Sequence, residues 1–268
     1  MESTGEKPKM SYTIHPIEKI NPKSCILIEG LPGIGNVGKI AVDFMIDSLD
    51  AKKVYEFHSN KFPHAVFVNE KNLIELPTIE IYYKKVRSQD VLFLSGDIQP
   101  IDEISCHEFC HELLDLVESL GCKEIVTLGG IGLHKIPKSP KVYCTANNTK
   151  IIKEYNSKLL NKNLHGVVGP IIGVTGLLVG LAKKRNISSI ALLAETFGHQ
   201  NYLGLKGAKE IVRVLKERFN FDVNLSKLDD QMLDLEKELI TKTKKISQIQ
   251  KTTKKPEEIK HKDTDYIG

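Results

Sequence analysis

The stretch from Cys25 to Ile46 constrains the chain most: an apolar run, a glycine-rich loop, then an apolar-periodic segment. Cys25-Ile-Leu-Ile28 predicts a buried strand, and Gly30, Gly33, Gly35 and Gly38 make the loop. Val37, Ile40, Ala41, Phe44 and Ile46 fall at spacings suited to a helix packed on that strand. Strand, glycine loop and helix form the opening unit of an α/β domain. Further apolar runs follow at 90–94, 124–128 and 189–194. Between the first two of these, Ile104, Phe109, Leu113, Leu116, Val117 and Leu120 trace one helical face, and Gly121 stops it. Strands that are apolar throughout are buried on both faces. The expected fold is therefore α/β, with a largely parallel sheet flanked by helices.

Weaker signals fill the gaps. Residues 53–57, 73–76, 78–83 and 142–146 read as strands, with Pro77 marking an edge or a break. Residues 149–161 and 208–219 read as helices, and 169–184 as a strand, a tight turn and a closely packed helix. From 225 the pattern changes in kind. Leu225, Leu228, Met232, Leu235 and Leu239 are spaced 3, 4, 3, 4, which is an a/d seam. The expected parse is a disordered start (1–11), an α/β domain (12–224), an amphipathic helix with that seam (225–250) and a flexible tail (251–268).

Bulk properties narrow the function classes. A chain of 268 residues, 41% hydrophobic, can bury one large core or two small ones. Tryptophan is absent, so the core should be aliphatic. Five cysteines without paired spacing imply reduced thiols and a cytoplasmic setting. The first ten residues lack the apolar core of a secretion signal. No apolar run reaches the ~20 residues of a membrane span, so no membrane partner is expected. The net charge of +4 is concentrated in 241–262, where eight lysines face two glutamates. The remainder is slightly acidic, which excludes a basic nucleic-acid surface on the body.

Three motifs carry possible chemistry. Gly33-Ile-Gly35-Asn-Val-Gly38 has the spacing that lets backbone approach a pyrophosphate at a helix N-terminus, with Glu56 as the acidic follower. The alternative is a turn that packs the helix closely on the strand. The same loop with Lys39 approximates a P-loop, but Ile40 stands where a magnesium-binding hydroxyl is needed. His107-Glu108-Phe109-Cys110-His111 matches a zinc motif without a distinctive third ligand. Its alternative is a pair of histidines on the exposed side of a helix. Asp97, after a strand end, is either a catalytic carboxylate or a helix-capping residue. No metal, cofactor or catalytic group is expected.

Five ordered blocks go further than any one motif: Leu27-Ile-Glu-Gly-Leu-Pro-Gly-Ile-Gly-Asn-Val-Gly38, Gly96-Asp-Ile-Gln-Pro100, Thr127-Leu-Gly-Gly-Ile-Gly132, Gly173-Val-Thr-Gly-Leu-Leu178 and Leu192-Leu-Ala-Glu-Thr196. Through them the chain resembles the proteasome assembly chaperone family, its archaeal members above all. The resemblance implies a nucleoside-phosphorylase-like α/β fold without an established catalytic role, and oligomers that bind proteasome α subunits. It implies self-association, and it admits a second chaperone subunit. It also implies a C-terminal tail with a tyrosine that inserts between α subunits. Tyr266, followed by Ile267 and Gly268, stands where that tail would act, and Gly30, Gly33, Gly35 and Gly38 become a structural loop. The alternative function is an enzyme on the same fold that binds phosphate or nucleotide at Gly30–Gly38.

Overall fold

The strong apolar runs become the middle of one large sheet. The computed structural model describes residues 12–100, 102–164, 166, 169–199, 201–226 and 228–230. In chain order the strands and helices are β1 (Thr13–Pro16), β2 (Cys25–Glu29), α1 (Val37–Leu49), β3 (Lys52–His58), β4 (Phe67–Val68), β5 (Ile74–Glu75), β6 (Ile79–Val86) and β7 (Gln89–Gly96). There follow α2 (Glu103–Ser119), β8 (Cys122–Leu133), β9 (Val142–Ala146), α3 (Thr149–Glu154), β10 (Leu160–Asn161), α4 (Val174–Lys184), β11 (Ser188–Phe197) and α5 (Leu205–Phe219). The chain divides into two compact units, Met1–Leu225 and Ser226–Gly268. Beyond position 230 the leucine seam and the whole tail, including Tyr266, Ile267 and Gly268, lie outside the described residues.

The nine-stranded sheet has the order β1-β3-β6-β7-β2-β8-β11-β9-β10. Its centre, β7-β2-β8-β11, is parallel, as continuous apolar strands require. Outside that centre the expectation of a largely parallel sheet fails. Strands β1, β3, β6 and β7 pair antiparallel in succession, and β9 runs antiparallel to β11. The result is a mixed sheet. One cause is local: Val86 pairs with Gln89, so only Arg87 and Ser88 join β6 to β7. A connection that short makes a hairpin, and Arg87 takes the left-handed φ of 56° that such turns need.

Helices cover both faces. On one, α2 and α4 pack together, and Phe109, Leu113, Val117, Leu178 and Ala182 meet Cys25, Leu27, Leu92, Leu94 and Ile125 in one core cluster. Strand side chains alternate between faces, which turns Ile26 and Ile28 to the other side. There α1 packs against α5 and over β7 and β8, and α5 packs on β11. Helix α2 starts at Asp102, whose side chain accepts the Ser105 amide at 2.9 Å. Just past its end the chain turns at Gly121, with φ of 72°.

Two further expectations change. Residues 149–161 are not one helix, since α3 ends at Glu154 and Leu160–Asn161 add a short strand beside β9. No strand precedes α4 at 169–173.

Candidate functional site

The five sequence blocks meet at one place. The C-terminal ends of β2, β7, β8 and β11 and the start of α4 surround a crevice of about 640 Å3. Its walls are the loop of Leu31 to Gly38, Gln99 and Pro100, Leu128 to Gly132, and 169–173 with Thr175. Every lining side chain is uncharged. In an open α/β sheet this is where ligands bind, outside the carboxyl ends of neighbouring strands whose helices go to opposite faces.

The glycines, however, are mostly spent on packing. A β-carbon on Gly30 would stand 2.3 Å from the Gly38 carbonyl oxygen. On Gly38 it would stand 2.4 Å from the Leu128 oxygen, and on Gly130 2.2 Å from the Ile34 oxygen. Gly35 needs its left-handed φ of 63° and faces Thr196. Gly33 alone of the four loop glycines has open space around it. Loop amides are engaged too: Gly30 N–H donates to Leu94 O at 3.0 Å, Leu31 N–H to Glu29 Oε1 at 3.0 Å, and Asn36 N–H to Gly33 O at 2.9 Å. Gln99 Nε2 donates to Pro32 O at 2.7 Å and ties the loop to the end of β7. The loop thus draws α1 onto β8 by backbone contact. The dinucleotide expectation loses its acidic partner as well. Glu56 lies on β3, three strands from β2, and is bound by Lys53 and His58.

Two polar side chains at this end are buried with an oxygen lacking any hydrogen-bond partner among the described residues: Glu29 Oε2 and Thr196 Oγ1. Burial pushes the Glu29 carboxyl up to about 7, against the pull of the Leu31 amide, the Thr175 hydroxyl and the Leu128 backbone. A charge at the end of an apolar run normally means exposure. That is why the sequence did not single Glu29 out.

The other motifs resolve simply. His107 and His111 are exposed on α2, with ring centroids 6.5 Å apart, and Glu108 pairs with Lys61. Among the described residues no group of three or more His, Cys, Asp or Glu is placed to hold a metal. Asp97 neither caps a helix nor faces the crevice wall. Its Oδ2 accepts from the amide and hydroxyl of Thr78, at 3.1 and 3.2 Å, and so fixes the entry to β6. The helix cap is Asp102. No helix among the described residues is long and apolar enough to cross a membrane.

A second hollow, about 880 Å3, runs between α2 and α4. It is lined by Gly173, Gly176 and Gly180 and by His107, Glu108 and His111 of the zinc-like motif.

A mixed α/β sheet whose glycine blocks all gather at one end defines a class of protein, and comparison with known proteins gives that class its family. Residues 27–241 match the PAC2 family, and the chain belongs to it. Among solved structures it is similar to Pyrococcus furiosus PbaB, described as an archaeal proteasome activator. The identity is 31%, over 88% of this chain and 100% of that one, with a TM-score of 0.79. Pyrococcus furiosus PbaA, described as an archaeal homolog of proteasome-assembly chaperone, shares the fold. It is 22% identical over 89% of this chain and 95% of its own, with a TM-score of 0.72. The Methanocaldococcus jannaschii protein MJ1210 is 26% identical over 94% of this chain and 96% of its own length.

Proposed function

We propose that this chain is a non-enzymatic chaperone or adaptor that binds proteasome α subunits and assists core-particle assembly in the cytoplasm. The observation that carries this is the likeness to PbaB along that protein's whole solved chain, at 31% identity. The packed glycine loop supports it, because Gly30, Gly35 and Gly38 have roles in the fold that need no ligand.

In this reading the α/β body is a homo-oligomeric platform, the seam at 225–250 forms a coiled coil that helps assemble it, and a second chaperone subunit can join. The tail from 251 to 268 then carries Tyr266, Ile267 and Gly268 to a pocket on the α ring. A tether of this kind raises the local concentration of its tip once the body has docked. Deleting Tyr266–Gly268 should abolish α-subunit pull-down and leave the oligomer mass unchanged. Unchanged pull-down removes the tail mechanism. Failure of the full chain to retain α subunits overturns the function itself.

A second reading is favoured by the crevice alone. It is an enzyme on a nucleoside-phosphorylase-like fold, with phosphate or a nucleotide at Gly30–Gly38. A ligand at 100 times its dissociation constant adds about 2.7 kcal/mol of stability. Thermal shift with nucleosides, nucleotides and phosphate tests this, and an unmoved transition sets it aside.

A further inference from the structure

We propose that a β-ribbon arm of one protomer docks in the α2–α4 groove of a second copy of this chain, head to tail. The proposal rests on the homo-oligomeric platform above and names the surfaces that build it.

The arm holds the largest cluster of exposed apolar side chains among the described residues. Strands β4 and β5 pair only with each other, apart from the main sheet. On this ribbon Val66, Phe67, Val68, Leu73, Ile74 and Leu76 are all 45–70% exposed. Val66, Phe67 and Val68 are consecutive, so both faces of the ribbon are apolar. An isolated two-stranded ribbon is marginal in water. A monomer's largest apolar patch is typically a few hundred Å2, and six such side chains reach the upper end, on the order of 600 Å2. A ribbon apolar on both faces needs a groove that embraces it, since a flat contact covers one face only.

The same chain supplies that groove. It is lined by Ile104, Cys106, Ile171, Ile172, Leu177 and Leu181, and Ile104 and Ile172 are 67% and 85% exposed. Gly180 on its α4 wall has nothing within 4 Å of where a β-carbon would stand, so a backbone can approach closely there. Burying about 600 Å2 on each side gives roughly 1,200 Å2, the lower bound for a specific interface.

Charges agree with one direction of entry. Helices α2 and α4 both begin at the crevice end and lead to the starts of the central strands β8 and β11, so they run alongside one another in the same direction. Asp102 and Glu103 therefore stand at one end of the groove, His111 and Lys184 at the other, and Glu108, paired with Lys61, lies between them. The two ends are about 12 Å apart along the helix. On the arm Glu70 and Lys71 share the turn, and Glu75 lies in the strand behind it, roughly 10 Å from Lys71. An arm entering turn-first toward Glu103 sets Glu75 against Lys184, whereas the reverse entry would set it against Asp102 and Glu103. A knob and a hollow on different parts of one surface make a heterologous contact, which closes into a ring when the rotation allows.

The test uses the full chain by size-exclusion chromatography with light scattering. Ile74→Lys alters an exposed side chain, and Gly180→Leu adds one in open space at a helix position where glycine is a poor former. Both should stay folded, with a cooperative transition no higher than expected once the stabilisation from association is lost, and both should run as monomers. Mixed together they should give a 1:1 dimer, because one intact arm meets one intact groove. If the wild type is itself a monomer, the homo-oligomeric platform fails and this proposal with it. If the wild type is an oligomer and either variant keeps its mass, the platform stands and this interface is overturned. Ile74→Lys monomeric beside Gly180→Leu oligomeric identifies arm-on-arm pairing and overturns the groove. A mixture that stays monomeric overturns the head-to-tail geometry.

Discussion

The two ends of the parallel strands are built from different materials. At the C-terminal ends backbone meets backbone. Gly30 against Gly38, Gly38 against Leu128 and Gly130 against Ile34 leave no room for a β-carbon. Helices α1, α4 and α5 all begin there without a side-chain cap. At the N-terminal ends side chains do the joining. Tyr155 donates its hydroxyl to Glu124 Oε1 at 2.5 Å, near the start of β8. Arg218 reaches the same carboxylate at 3.4 Å and lies 5.0 Å over the Tyr155 ring. Asp90, near the start of β7, accepts from the Tyr83 hydroxyl at 2.8 Å and the Lys23 amide at 3.3 Å. The first kind of end depends on shape and forbids added atoms. The second depends on pairing and tolerates loss more readily.

The largest expected effect follows from shape. Gly38→Ala should cost about 3 kcal/mol or more, because its β-carbon would sit on a fixed carbonyl oxygen rather than a movable side chain. Gly33→Ala, with open space around it, should stay within about 0.5 kcal/mol of wild type. Urea unfolding measures both. Equal tolerance at the two positions would break the comparison at its root.

The next effect comes from the one buried carboxyl at the tight end. Glu29 is raised from 4.5 to about 7, so its contribution to folding stability is greatest below pH 4.5. It falls as the pH rises toward 7, where ionising the buried group has cost roughly 3 kcal/mol. Glu29→Gln keeps the acceptor for the Leu31 amide and removes the ionisation. Relative to wild type it should gain stability between pH 5 and 8, with no gain at pH 4. Parallel pH–stability curves for the two proteins would show that Glu29 does not titrate in this range.

How much of this could be read beforehand depends on where the information is stored. The strands β2, β7, β8 and β11 and the helices α1 and α2 are legible because their apolar spacing is a one-dimensional record of burial on both faces or one. The gathering of Gly30, Gly35, Gly38 and Gly130 at one end was legible only as blocks in order. Which atoms they touch depends on neighbours far along the chain. The antiparallel flank was hidden because Arg87-Ser88 is not a glycine or asparagine turn, and nothing in that pair announces a hairpin. The arm was hidden for a different reason. Leu73 to Leu76 has the alternation of a half-buried strand, and only the fold shows that no sheet lies beneath it.

At the paired end Arg218→Met should cost about 1–2 kcal/mol. It keeps the aliphatic stem over Tyr155 and Phe219 and removes the charge that faces Glu124 and Glu154. The cost stays below that of a fully buried pair because the Arg218 side chain is 30% exposed. Tyr155→Phe in the same background tells whether the two act as one unit. A double-mutant cycle with a coupling of roughly 0.5 kcal/mol or more marks a network, and strict additivity marks separate contacts.

The smallest effect sharpens the comparison where it is least clean. Helix α2 begins at the glycine end, yet it is capped by a side chain: Asp102 accepts from the Ser105 amide at 2.9 Å and from its hydroxyl at 2.5 Å. Those two bonds hold the Asp102 carboxyl below its usual range. Asp102→Ala should lower the urea midpoint by the smallest amount of the set, through the lost N-cap bond. Asp102→Asn should recover most of it, because an amide oxygen can accept the same amide proton. If Asn recovers nothing, the negative charge at the helix N-terminus, and not the cap bond, is what Asp102 contributes. In that case the gap at low salt should shrink as salt is added, since charge at an exposed helix end is screened.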